Sequence, residues 1–256
     1  MIDIHSHILP QLDDGARSLE EAIEMAEIAA ADGITRMVAT PHMFNGISQN
    51  ASPTEILQRV ADLQKAVGAM VEILPGNEVH VCPDMVDQVA MNHATKINHK
   101  NHVLVEFPQL MIPTAVEEMF RGLQLLSVYP ILVHPERNVE IQNHPSIAAD
   151  FIELGVLIQI TAMSVTGEFG PAARTCAHTL LKHNCVHFIA TDAHRSRRRR
   201  PVLSKARDVA AELVGQDRSR RLVEDHPLAV IEGRRISVEP TVPFTSRKRF
   251  LHFFER

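Results

Sequence analysis

The sequence predicts one α/β domain whose parallel strands alternate with helices and close into a (β/α) barrel. Three observations lead there. Short apolar or β-branched runs recur seven times, each followed by polar residues and then a helical pattern. Several of them, such as Val103-Leu104-Val105 and Ile131-Leu132-Val133, are apolar without alternation, as strands buried on both faces require. Six of the seven end in His, Asp or Glu, which favours a barrel over a doubly wound sheet. Barrel strands bring their C-terminal ends to one face, where the loops build a site.

In chain order the strands are expected at Ile2–His5, Arg36–Thr40, Glu72–Gly76, Val103–Phe107, Ile131–His134, Val156–Ile160 and His187–Thr191. The helices carry start signals. Ser18-Leu19-Glu20-Glu21 reads as a capping box ahead of a helix over Leu19–Asp32, with Gly33 as its stop. Ser52-Pro53-Thr54-Glu55 joins a cap, a proline at the first helical position and a following glutamate. The helix behind it aligns Ile56, Val60, Leu63 and Val67 on one face. Further helices are expected at Thr114–Ser127, Pro145–Leu154, Pro171–His183 and Val202–Val214. The barrel should occupy residues 1–240, leaving a basic, aromatic tail over 241–256.

Composition narrows the function classes. In 256 residues, 26 Lys+Arg stand against 31 Asp+Glu, a net charge of −5, which does not suggest nucleic acid as a partner. With 45% hydrophobic residues the chain can bury a sizeable core. No apolar run approaches the roughly 20 residues that a transmembrane helix needs, and Met1 leads straight into Ile2-Asp3-Ile4-His5 with no signal-peptide pattern. Cys82, Cys176 and Cys185 are far apart and form no C-x-x-C, which suits a reducing compartment. A cytoplasmic protein is the expectation. In the tail, Arg247, Lys248, Arg249 and Arg256 accompany Phe244, Phe250, Phe253 and Phe254. The phenylalanines are expected to pack on the barrel; the alternative is weak contact with an acidic partner or a membrane surface.

The chain holds 15 histidines, and those at strand ends form a set with the carboxylates there. In order, the ends read His5 and His7, His42, Glu78, Glu106, His134, and Asp192 with His194. On converging strands these residues would surround one small volume. His5-x-His7 puts both rings on one strand face. Imidazole and carboxylate without thiolate suit Mn, Fe or Zn, and the carboxylate share points to Mn. Seven or eight ligands exceed the needs of one ion, so two or three ions are expected. Cysteine-based phosphate chemistry lacks its motif: six residues after the cysteines stand Gln88, Lys182 and Thr191, where C-x5-R needs arginine. D-x-D and the P-loop are missing as well.

Asp3-x-His5-Ser6-His7-x-Leu9-Pro10-x-x-Asp13-Asp14-Gly15 resembles the opening motif of the PHP (polymerase and histidinol phosphatase) superfamily. Within it, the sequence is similar to the manganese-dependent bacterial tyrosine phosphatases of capsule and exopolysaccharide operons. The likeness continues through Ala39-Thr40-Pro41-His42, Pro75-Gly76-Asn77-Glu78-Val79, Val105-Glu106-Phe107-Pro108 and Val133-His134-Pro135-Glu136-Arg137. It runs on through Gly167-x-Phe169-Gly170, His187-Phe188-x-Ala190-Thr191-Asp192-Ala193-His194 and Arg200-Pro201, to about residue 236. Gln11 departs from the pattern, standing where glycine is expected, and so do Thr161-Ala162-Met163-Ser164 and the arginine run Arg195–Arg200.

The resemblance implies a distorted (β/α)7 TIM-like barrel, the PHP fold, with a trinuclear centre. By it, one ion takes His5, His7, Glu78 and Asp192, a second takes Glu78, Glu106 and His134, and a third takes His42 and His194 with Asp14. Asp13 competes with Asp14 for that last place. Arg137 and Arg200 would bind the phosphoryl oxygens, and a hydroxide bridging two ions would attack phosphorus in line with the leaving oxygen. Asp14 or a metal-bound water could protonate the leaving group. The implied substrate is a phosphotyrosine protein, a tyrosine kinase that regulates polysaccharide export. The alternatives are a small-molecule phosphatase such as histidinol-phosphatase, and a nuclease-like or regulatory PHP module with little turnover.

Overall fold

The computed structural model describes residues 1–46 and 50–244. Among the described residues nine strands form: β1 (Ile2–Ser6), β2 (Arg36–Ala39), β3 (His42–Met43), β4 (Glu72–Pro75), β5 (Glu78–His80), β6 (His102–Glu106), β7 (Tyr129–Val133), β8 (Leu157–Thr161) and β9 (Phe188–Ala190). They run parallel in two sheets, β1-β2-β4 and β3-β5-β6-β7-β8-β9. The seven expected strands are all present, and two of them are followed, after a break, by short strands that were not expected, β3 and β5. Thr40-Pro41 separates β2 from β3, and Gly76-Asn77 separates β4 from β5. Proline cannot donate to a ladder, and Asn77 supplies bonds in its place: its Nδ2 donates to Pro41 O (2.9 Å) and its Oδ1 accepts from Thr95 N (2.7 Å). The first and last strands meet through a parallel bridge between Ser6 and Ala193, flanked by Asp192 N to His5 O (2.9 Å) and His7 N to Ala193 O (2.8 Å). The result is a TIM-like α/β barrel.

Inside the strands, Ile4, Val38, Leu74, Leu104, Ile131, Val133, Leu157 and Phe188 form one apolar cluster, closed by Val230 and Ile231. A larger cluster lies between strands and helices. Ser18 and Ser52 cap their helices as the sequence indicates, accepting from Glu21 N (3.3 Å) and Glu55 N (3.2 Å). The helix Pro53–Val67 buries Ile56, Val60, Leu63 and Val67. The other expected helices are found at Val116–Leu125, Ile147–Glu153, Pro171–Lys182 and Ser204–Val214. Five more were not anticipated: Met85–Ala90, Val139–Asn143, Ala162–Thr166, Gln216–Val223 and Asp225–Ile231. The first three are too short to show a helical period; Gln216–Val223 packs on Ser204–Val214, and Asp225–Ile231 closes the end of the barrel opposite the strand C-termini.

Near the C-terminus, Val242 N donates to His183 O (2.8 Å) and the Phe244 ring stacks on His183 at 3.8 Å. Arg247, Lys248, Arg249, Phe250, Phe253, Phe254 and Arg256 lie outside the described residues. Among the described residues, no helix is long and apolar enough to cross a membrane.

Two buried histidines away from the strand C-termini make the fold acid-sensitive. Burial pushes His102 down to about 4. Burial, with His226 and Arg218 nearby, pushes His187 down to about 3. His187 Nδ1 accepts from Ile158 N (3.0 Å), a bond its protonation would destroy. Above pH 6.5 both are neutral, folded or unfolded; below it only the unfolded chain takes up protons, so stability falls with pH. Each histidine should cost about 2 kcal/mol between pH 6.5 and pH 5. Denaturant titrations at pH 7.5 and 5.0 should show a smaller acid loss in His187→Gln than in wild type, and an equal loss would contradict this account.

Candidate metal centre

The strand breaks position the centre. Because β3 restarts at His42 and β5 at Glu78, these two residues fall opposite each other in the register, and His80 falls opposite Glu106 one strand further on. In β1 the register slips between Asp3 and Ser6, a bulge just before His7 that turns the strand end. His134 directly follows β7 and Asp192 stands two residues past the end of β9, both in left-handed conformation (φ 36° and 51°). For a residue with a Cβ this costs on the order of 1–3 kcal/mol, and here it re-aims two candidate ligands. Gly15 is required in the D-D-G loop, because a Cβ there would lie 2.0 Å from His7 O. Gln11 adopts φ 62°, so the glycine expected in its place has a conformational reason.

The nine candidate ligands converge. Glu78 is fully buried. Its Oε2 lies 2.9 Å from His42 Nδ1, 3.2 Å from His7 Nε2 and 3.3 Å from His5 Nε2, and its Oε1 lies 2.8 Å from His134 Nε2. Asp192 Oδ1 lies 3.3 Å from His7 Nε2 and 3.5 Å from His5 Nε2. Asp14, at the rim with its side chain 64% exposed, reaches His194 Nε2 (3.4 Å) and His42 Nε2 (3.5 Å). Glu106 lies 3.6 Å from His42 Nδ1 and 3.8 Å from His134 Nε2. Four groups have donor atoms close enough to share an ion: His7, Asp14, His42 and His194; His5, His134 and Asp192; His5, His7 and Glu78; and His42, Glu78 and Glu106. This grouping differs from the expected sets in detail: His42 also faces Glu78 and Glu106, and His7 also faces Asp14 and His194.

The unpaired atoms fit a metal better than a hydrogen-bond network. Glu78 Oε2, His42 Nδ1 and His194 Nε2 are buried without a hydrogen-bond partner, despite the short distances. His5 Nε2 and His7 Nε2 face each other at 3.4 Å, although both other ring nitrogens are engaged. With both Nδ1 atoms donating, both Nε2 atoms carry lone pairs, which a shared cation would satisfy. Around the ligands lies an orienting layer. His5 Nδ1 donates to Gln159 Oε1 (2.9 Å), and His7 Nδ1 donates to Asp13 Oδ2 (2.7 Å). Asp13 also accepts from Gly15 N and His42 N, so of the two neighbouring aspartates Asp13 orients and Asp14 faces the centre. Buried Asp3 accepts from Thr191 N, Thr191 Oγ1 and His5 N, locking β1 to β9 beneath the site.

The charges are strongly coupled. Burial opposes ionisation of His42, yet Asp14 and Glu78 push its imidazole up to about 10. Burial and His7 push His194 down to about 4. Burial works against the Glu78 carboxylate too, but His5, His134 and His42 hold it well below its usual range. Asp13 is held at about 2 by His7, against its burial.

The arginines resolve differently from expectation. Arg137 Nη1 donates to Asp192 Oδ2 (2.6 Å) and its guanidinium lies 5.0 Å from the Phe169 ring centroid. Arg199, not Arg200, is its counterpart: Arg199 Nη2 donates to the same oxygen and stacks on Phe169 at 5.7 Å. Arg200 is exposed and lies outside the cluster. The turn explains the shift, since Arg199 is left-handed (φ 52°) and its carbonyl accepts from His194 N, folding this residue inward. Sequence reasoning also missed His80, whose Nδ1 lies 3.4 Å from Glu106 Oε2. Its two-residue spacing from Glu78 was the available signal.

Residues 1–232 match the family described as capsular polysaccharide synthesis, CpsB/CapC. The chain belongs to this family. It is 34% identical to the tyrosine-protein phosphatase YwqE of Bacillus subtilis over 256 residues, covering 99% of this chain and 100% of that protein. A crystal structure from work on YwqE and Streptococcus pneumoniae CpsB, described there as unique metal-dependent tyrosine phosphatases, superposes with TM-score 0.91 at 33% identity. That match covers 96% of this chain and 100% of the other. Histidinol phosphate phosphatase of Lactococcus lactis matches at TM-score 0.56 and 16% identity, covering 83% and 93%, and so shares the fold.

Glu78 contacts four imidazoles, more than any other candidate ligand. Glu78→Ala should therefore lose more metal and more activity than His194→Ala. Elemental analysis of the purified variants checks this, and equal metal content in wild type and Glu78→Ala would contradict it.

Proposed function

We propose that this chain is a metal-dependent protein-tyrosine phosphatase, working with two or three Mn2+ ions on a phosphotyrosine protein. The observation that carries the reading is the shared carboxylate of Asp192. One oxygen faces the buried imidazoles of His5 and His7, and the other anchors Arg137 and Arg199. Phosphoryl-binding cations are thereby fixed against a metal-ligating cluster. His5, His7, Asp14, His42, Glu78, Glu106, His134, Asp192 and His194 would hold the metal; the carboxylate share favours Mn, and the imidazoles also suit Fe or Zn. When bound, such ions neutralise the phosphoryl charge and lower the pKa of water toward 7.

The chain's own residues do the rest. Arg137 and Arg199 present planar forks to the phosphoryl oxygens and remain charged at all working pH values. Phe169 keeps both guanidiniums in place when phosphate draws them from Asp192. Asp14 is held well below the usual carboxylate range by His194 and His42, which favours its role as a ligand over that of leaving-group acid. A phenol of pKa about 10 leaves with little need for a proton. Two of the three thiols are poor nucleophiles, since burial pushes Cys82 up to about 11 and Cys176 higher still, and the third, Cys185, is buried. The capsular polysaccharide family suggests a tyrosine kinase controlling polysaccharide export as the protein substrate, and a cytoplasmic location.

With Mn2+ present, kcat/KM on a phosphotyrosine peptide should exceed that on histidinol phosphate or a phosphoserine peptide by at least about tenfold, a ~1.4 kcal/mol difference in transition-state binding. Phenyl phosphate separates leaving-group chemistry from recognition. A preference for histidinol phosphate would overturn the assignment. In the same assay, iodoacetamide should leave turnover intact and EDTA should abolish it until Mn2+ is restored; the opposite pattern would refute the metal mechanism. Phe169→Leu should raise KM several-fold with a smaller effect on kcat, and an unchanged KM would remove Phe169 from phosphate binding.

A further inference from the structure

The sequence places Arg195, Arg197, Arg198, Arg199 and Arg200 within six residues of a chain whose net charge is −5. Two of the five are accounted for. Arg195 donates to Gly15 O and pairs with Glu21 (3.5 Å), which ties the loop to the D-D-G turn, and Arg199 sits on Asp192. The other three make no ion pair among the described residues, and Arg17 and Lys205 nearby make none either. Unpaired like charges this close repel one another, so the run costs stability unless an anion offsets it.

The unpaired arginines form a ridge between two hollows. Arg197 and Arg198 line one of about 540 Å³ that also contains Asp14, His194 and Arg17, so it opens directly onto the metal centre. They also line a second of about 400 Å³, where Arg200 and Lys205 join them. The acid of that second hollow, Glu168, accepts a hydrogen bond from Thr166 Oγ1 (3.0 Å). A chain that enters the centre by its phosphotyrosine and leaves on this side crosses the ridge. Successive residues of an extended segment advance ~3.3 Å, so its neighbours pass over guanidiniums that have no partner.

We infer that this ridge selects substrates whose phosphotyrosine is flanked by acidic side chains, with Arg197 and Arg198 reading the flank. This rests on the phosphatase reading and adds the class of peptide. The arginines act on binding and not on the chemical step. The ridge lies only along the rim beside the centre, an extent that suits the few residues flanking a phosphotyrosine better than a long polyanion or a membrane.

The test compares two phosphotyrosine peptides of equal length, one with Glu/Asp flanks and one with Gln/Asn, on wild type, Arg197→Gln/Arg198→Gln and Arg197→Lys/Arg198→Lys. At about 50 mM salt, wild type should favour the acidic peptide about tenfold in kcat/KM, mostly through KM, equivalent to ~1.4 kcal/mol. The preference should shrink as salt is added. In the Gln variant it should fall below about threefold, the Lys variant should restore most of it, and phenyl phosphate turnover should be the same in all three. Fluorescence anisotropy of the labelled peptides on the metal-free protein reads the same preference without turnover. Equal preference in wild type and the Gln variant, or none in wild type, overturns the inference. So does a ridge that binds heparin or anionic phosphatidylglycerol vesicles through Arg197 and Arg198 while ignoring peptide flanks. Loss of turnover on every substrate, with flank-dependent binding intact, would count against the phosphatase reading alone.

Discussion

The buried carboxylate of Glu78 is the constraint around which the rest of the molecule is arranged. A fully buried charge needs compensation, and Glu78 has four imidazoles pressed against it and a lone pair with no hydrogen bond. It can occupy that place because its strand stops at Pro75 and restarts at Glu78, level with the restart at His42. The double break looks like a defect in a parallel barrel. In effect it turns two strand ends into one wall of the centre.

Asp192 is the second pivot. Its two oxygens face opposite tasks, with histidines on one side and arginines on the other. In the proposed phosphatase, charge neutralisation by metal and oxygen recognition by guanidinium would thus be registered to each other within a single side chain. Its left-handed backbone is held by a hydrogen bond from Asp192 N to His5 O and by Asp3, which accepts from Thr191 just before it. Strain at the ligand is offset by a buried polar lock beneath it, as expected where a site must be preorganised.

Much of this was legible in the sequence. Strand ends rich in His, Asp and Glu pointed to the candidate ligands that converge, Asp14 excepted, because a parallel barrel gathers its C-terminal ends whatever their separation along the chain. The capped helices from Leu19 and Pro53 were equally readable from their serines. Details that depend on tertiary turns were hidden. Arg199 displaced Arg200 because a left-handed residue folded the loop by one position, and no periodicity encodes that. His80 and Gln159 carry no motif and matter only through the strand opposite them. The roles of Asp13 and Asp14 separated only when the hydrogen bonds of the D-D-G turn could be traced.

The central claim is that the unpaired atoms of this cluster are metal donors. Anomalous diffraction from crystals grown with Mn2+ and recorded on both sides of its absorption edge tests it most directly. The account predicts two or three anomalous peaks within the cluster, with Glu78 as the ligand that adjoins more than one of them. Peaks confined to surface carboxylates, or a cluster without anomalous density beside active protein, would contradict it.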